Sequence, residues 1–184
     1  MEYTAKQAAL KDERTCTIRR AEAADAGELV KYLKATSGET HYMAREPEEI
    51  DMTVEEEREF LQEMADRERE LMLCAEVDGR HAGCCSFSPV SERGRLRHRC
   101  TVGMSVYRAF WDVGIGTALL SEALAAARTV GYEQAELEVV STNAPAVGLY
   151  EKLGFETVGT IPRAMKYRDR SYADFLFMVK PLLE

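Results

Sequence analysis

The stretch "VGMSVYRAFWDVGIGTALLSEALAAARTVGYEQAELEVV", Val102–Val140, decides the architecture. It opens with strand-like alternation and turns through two glycines, Gly114 and Gly116. Leu120, Ala123, Leu124 and Ala127 then recur at helical spacing. Gly131 reads as a C-cap, and "AELEVV" (Ala135–Val140) returns to strand. A strand, crossover helix and strand normally make a parallel pair. Glycine is unfavourable inside a helix and useful where backbone bends or approaches another group closely. A helix start gathers unpaired N–H groups with partial positive charge, so glycines just before it point to a phosphate lying on the backbone. A tight turn with no ligand is the competing reading.

Two common phosphate motifs do not fit. A dinucleotide fingerprint needs a third glycine where Leu119 stands. Glu136 lies at the distance of a ribose-binding acid, but it opens its strand rather than closing it. A P-loop needs Gly-Lys-Ser/Thr at the helix start, and this chain has Gly116-Thr117-Ala118.

Further out, "TCTIRRA" (Thr15–Ala21) reads as a strand. A helix over 25–35 follows, with Asp25 as N-cap and Leu29, Val30 and Leu33 on one face. Thr36–Met52 has no clear period. Thr53 and Glu56 form a capping box for a second helix. Asp78-Gly79-Arg80 between "LMLCAEV" and "HAGCCSFS" marks a hairpin. Arg95–Val106 alternates and is expected to be a strand, with His98, Cys100 and Met104 on one face. A short helix over 144–153 ends at Gly154, and strands over 155–161 and 172–179 close the chain. The expectation is one α+β domain over residues 1–184, with 1–14 as a short N-terminal extension.

The 184 residues suffice for one full core. Asp plus Glu exceed Lys plus Arg by 32 to 24, which argues against a nucleic-acid partner. No apolar run approaches the roughly 20 residues of a membrane span. The first residues lack a signal-peptide core, so a cytoplasmic protein is expected. Cys16, Cys74, Cys84, Cys85 and Cys100 contain no Cys-x-x-Cys pair, and His41, His81 and His98 are scattered. Buried free thiols and no metal are therefore expected.

The chain closely resembles the GNAT superfamily of N-acetyltransferases from about Thr15 to Pro181. One motif is the pyrophosphate loop Gln/Arg-x-x-Gly-x-Gly/Ala, matched by "WDVGIG" with Trp111 in place of Gln or Arg. The other is Asn…Tyr-x-x-x-Gly-Phe, matched by Asn143 and "YEKLGF" from Tyr150. The resemblance implies a mixed, mostly antiparallel sheet with a splayed parallel pair, flanked by helices. It implies acetyl-CoA as cosubstrate, its pyrophosphate on backbone from Trp111, Asp112 and Val113 through Gly114, Ile115, Gly116 and Thr117. The pantetheine arm would pair with Met104, Ser105 and Val106 and contact Asn143. Tyr150 would protonate the departing thiolate; as plain sequence, without the motif, Tyr150 reads rather as a packed aromatic and Asn143 as a helix cap.

The family often carries a catalytic Glu near the position of Cys100, yet no Asp or Glu occurs between Glu92 and Asp112. His98, two residues earlier, is the candidate base by alternation. A hydrogen-bonded structural histidine is the competing reading. The implied partner is an amine acceptor, on a small molecule or a peptide, and a homodimer is compatible. Glu39, Glu46, Glu48 and Glu49 read either as a cation-attracting acceptor wall or as an exposed acidic loop. An acyl-CoA-binding sensor without catalysis is the alternative function.

Overall fold

Two short strands open the chain, β1 (Lys6–Ala9) and β2 (Thr15–Arg20), followed by α1 (Ala26–Glu39) and α2 (Val54–Asp66). Then come β3 (Leu71–Val77), β4 (Arg80–Pro89), β5 (Arg99–Val106), α3 (Ile115–Thr129) and β6 (Gln134–Val140). Helix α4 (Ala144–Lys152) and the long hairpin β7 (Glu156–Lys166) and β8 (Tyr172–Pro181) complete the computed structural model, which describes residues 1–183. One eight-stranded sheet holds every strand in the order β1-β2-β3-β4-β5-β6-β8-β7. Among the described residues, only β5 and β6 run parallel. Within the N-terminal extension, β1 forms the sheet edge against β2.

Local chemistry explains most boundaries. Asp78 and Gly79 both have positive φ, +52° and +71°, the paired left-handed geometry of a two-residue hairpin turn. Thr53 and Glu56 cap α2 reciprocally. Gly131 and Gly154 turn left-handed after α3 and α4.

Three expectations need correction. Helix α1 runs on to Glu39, with Thr36 bonded through its hydroxyl to the Tyr32 carbonyl at 2.9 Å. Asp25 does not cap α1 with its side chain; Arg19 holds that carboxylate at 2.7 Å. Strand β5 begins at Arg99 rather than Arg95, because residues 94–98 form turns. Arginines on alternate positions imitated a strand where no partner strand pairs.

The core lies on both faces of the sheet. Leu71, Leu73, Ala75 and Val77 point to the face covered by α3, whose Leu119, Leu120 and Ala123 are fully buried. Cys74 points the other way, to α1 and α2, and joins Leu29, Tyr32 and Leu61. Each such fully buried leucine contributes about 1.5–3 kcal/mol from water exclusion. Among the described residues, no helix is long and apolar enough to cross a membrane.

Candidate active site

Strands β5 and β6 pair only at Arg99–Thr101 with Gln134–Glu136, then part. The consequence for the backbone follows from alternation. Tyr107 donates its N–H to Ala82, and Val90 donates to the carbonyl of Arg99, so odd-numbered residues of β5 face β4. Even-numbered residues therefore face β6. Cys100 meets β6 there, while Val102, Met104 and Val106 aim N–H and C=O into the open wedge. On the far wall, Ser141 donates to Asp174 across the β6–β8 ladder, which leaves Glu138 and Val140 facing the wedge. Of the three sequence candidates, Met104 and Val106 point inward. Ser105 does not; its hydroxyl lies 2.6 Å from Tyr32 on the α1 face.

The glycine turn stands at the wide end of this wedge. Gly114 is the N-cap of α3 at φ +104°, and Asp112 is also left-handed at +63°. The first intrahelical bond runs from Ala118 N–H to Gly114. The N–H groups of Ile115, Gly116 and Thr117 therefore point out of the helix start. Gly116 lies inside the first turn of α3 rather than before it. A Cβ there would come within 3.1 Å of Leu149 and 3.3 Å of Met104, so this glycine also lets α3 sit close to β5 and α4.

Two unforeseen contacts brace the turn. Trp111 donates its indole N–H to the carbonyl of Val106 at 2.8 Å, across the mouth of the wedge. Lys11, from the β1–β2 connection, donates its backbone N–H to Val113 and its ammonium to the carbonyl of Asp112 at 3.1 Å. A positive charge thus sits beside the loop although position 111 carries none.

Tyr150 is buried on α4, edge-on to Phe155 at 5.8 Å. Burial pushes its hydroxyl up to about 12, so it holds its proton at neutral pH. Asn143 caps α4, its side-chain oxygen accepting from the N–H of Ala146 at 3.4 Å. His98 is not brought together with these residues. It sits in the turn before β5, and its carbonyl accepts from Glu133 and Gln134 at the closed end of the pair. Six residues of strand separate it from Met104, about 20 Å at the usual rise.

The opposite face is walled by the connection between α1 and α2 and by the β7–β8 turn. Tyr42 reaches the carbonyl of Thr142 at 3.3 Å, and Arg168 binds Glu46 and Glu48 at 3.3 and 2.9 Å. Glu49 caps the backbone of Glu46, and Glu39 accepts from Arg108 N–H at 2.7 Å. The four glutamates are engaged in holding this wall together rather than standing free.

A wedge between parallel strands beside a glycine turn matches a known arrangement. The sequence model described as "Acetyltransferase (GNAT) family" matches residues 37–155, more than half of the chain. The chain belongs to the GNAT acetyltransferase family. The L-amino acid N-acetyltransferase AaaT of Escherichia coli strain K12 is 32% identical over 120 residues, 64% of this GNAT chain and 72% of that protein. An N-alpha-acetyltransferase of Sulfurisphaera tokodaii is 33% identical over 116 residues, 59% and 67% of the two chains. A GNAT acetyltransferase structure from Streptococcus pneumoniae superimposes with a TM-score of 0.86 at 32% identity, covering 90% of this chain and 99% of that one. This GNAT protein is accordingly an N-acetyltransferase, of a family that uses acetyl-CoA.

Proposed function

We propose that the chain transfers the acetyl group of acetyl-CoA to a primary amine by direct attack on the thioester. The observation that carries this reading is the wedge, which leaves the peptide groups of Val102 and Met104 and the N–H of Val106 without partners in β6, the Val106 carbonyl being taken by Trp111. The amides of the pantetheine arm supply the missing donors and acceptors, while the N–H groups of Ile115, Gly116 and Thr117 receive the pyrophosphate. Lys11 adds a positive charge at the same loop.

In this reading the amine nitrogen attacks the carbonyl carbon, a C–N bond forms, and the C–S bond breaks. Tyr150 gives a proton to the leaving sulfur. The low-dielectric setting that raises the phenol also raises the proton affinity of the thiolate, so the two stay near enough for transfer. The attacking amine loses its proton to water. His98 stands beyond the strand closure and does not touch the reacting atoms.

The acceptor approaches from the face walled by Tyr42 and the β7–β8 turn. One relative is named as an L-amino acid N-acetyltransferase and the other as an N-alpha-acetyltransferase. An α-amine is therefore the first acceptor class to test. The decisive assay follows thiol release from acetyl-CoA with free amino acids, peptides bearing free N-termini, polyamines and aminoglycosides. Release with an α-amine supports the proposal. Tight acetyl-CoA binding with no release for any amine would instead identify a sensor.

A further inference from the structure

On the α1 face of the sheet, Cys74 of β3 and Cys84 of β4 stand directly opposite one another. Cys84 turns its backbone to β5, so the two form a pair without mutual hydrogen bonds, the kind that brings side chains closest. Their sulfurs lie 3.6 Å apart. His81 would ordinarily point to the other face, three residues away on an alternating strand. A bulge prevents this: the register shifts between Ala75 and Glu76, leaving Ala82 unpaired with β3 and packed on the α3 side. His81 is thereby turned onto the face of Cys84, its Nε2 3.3 Å from that sulfur, with Tyr32 edge-on at 4.6 Å. Bulges recur where a side chain has to be re-aimed.

The ligand atoms of Cys74, His81 and Cys84 all lie within 4.8 Å of one another. A tetrahedral zinc with bonds of about 2.3 Å to sulfur and about 2.0 Å to nitrogen sets sulfurs about 3.8 Å apart and sulfur to nitrogen about 3.5 Å. The observed separations, 3.6 and 3.3 Å, need only a small expansion. Of the three, His81 alone lines a cavity of about 610 Å³, with Arg19, Asp25, Arg80 and Tyr107, so the cluster meets that space through its ring. The expectation of no metal rested on spacing along the chain, which does not register contacts made across the hairpin and its bulge.

We propose that Cys74, His81 and Cys84 form a binding site for one borderline-soft divalent cation of the zinc class. Two thiol protons leave on binding, His81 binds through Nε2, and a water from the cavity completes the tetrahedron. The site is separate from the acetyl-CoA wedge, and its test does not depend on acetyl transfer.

The full chain, reduced and stripped with a chelator, is titrated with Zn²⁺ followed by calorimetry and with Co²⁺ followed by absorption. One equivalent should bind, and Co²⁺ should show thiolate charge transfer with tetrahedral ligand-field bands. His81→Ala, a half-buried position, should weaken Zn²⁺ binding at least about 10-fold. Cys84→Ser should cut the charge-transfer band to at most the intensity of one thiolate, and Cys74→Ser with Cys84→Ser should abolish it, whereas His98→Ala should leave both readouts unchanged. Circular dichroism confirms that each variant is folded. Absence of binding by the reduced wild type, binding unchanged in folded His81→Ala, or a Cys74–Cys84 disulfide as the only product of the pair would overturn the proposal.

Discussion

Arg99 grips Glu136 with two hydrogen bonds across the short paired segment of β5 and β6, one of them at 2.8 Å. Gln134 adds a third bond to the same carboxylate at 2.7 Å. This pair, a buried glutamate held by a half-buried arginine, clamps the wedge at its closed end. Burial alone would raise the carboxyl of Glu136, but the bonds from Arg99 and Gln134 outweigh it and hold the group below the usual glutamate range.

Glu136→Gln should therefore cost about 1.5–3 kcal/mol of stability, the range for hydrogen bonds to charged groups. In the wild type this contribution is present above the unfolded value near 4.5 and is lost as pH falls through the lower folded value. Chemical denaturation at pH 7 and below pH 4 should show the variant's deficit shrinking on acidification. An unchanged deficit would contradict the assignment.

Tyr150→Phe should lower turnover by at least about 10-fold with acetyl-CoA affinity preserved. It should also alter alkaline stability. The wild-type phenol favours the folded state fully below 10, and this is lost as pH rises from 10 to about 12. The variant should lack that part of the loss in thermal melts. Full turnover in the variant would reduce Tyr150 to packing.

Gly116→Ala brings a methyl against the mobile ends of Met104 and Leu149, which can shift by a few tenths of an ångström. The fold should survive while acetyl-CoA affinity falls by about 10-fold, or 1.4 kcal/mol. Gly116→Val adds bulk at an already tight site and should also lower the melting temperature. Calorimetry that finds Gly116→Ala binding as the wild type does would remove the phosphate role of this turn.

Lys11→Met removes the ammonium near the glycine loop. An exposed charge of this kind is worth less than about 1 kcal/mol, so affinity should drop by about 2- to 5-fold. The deficit should vanish at high salt. A deficit that persists in salt would indicate that the β1–β2 connection, rather than the charge, positions the loop.

His98→Ala should leave the pH–rate profile unchanged in shape, because the side chain lies beyond the closed end of the wedge. Loss of a limb near pH 6.5 in a folded variant would restore His98 as the base.

What the sequence announces depends on how local the determinant is. The Asp78–Gly79 turn and the Val102–Val140 unit are readable because glycine position and apolar period act within a few residues. The true end of α1 is not, since Thr36 and Ser37 are poor helix formers held by burial. The start of β5 is misread because Arg95 and Arg97 alternate as a strand would while no neighbour pairs with them. At the site, Gly114, Gly116 and Tyr150 belong to local motifs. Lys11 is about a hundred residues from the loop it braces, and Arg99 is 37 from Glu136, so neither contact leaves a trace in spacing.

The seam joining β5 to β6 spans only three residue pairs. Beyond it the sheet is two half-sheets, β1 to β5 and β6 to β7, whose facing edges no longer pair with each other. A bound pantetheine arm would act as a ninth strand between them. Cosubstrate supply would then govern how long the folded enzyme lasts as well as how fast it turns over, since a ligand that binds only the native form raises stability with the logarithm of its concentration. Starved of acetyl-CoA, the molecule would open first along this seam, and proteolysis would begin where the two half-sheets separate.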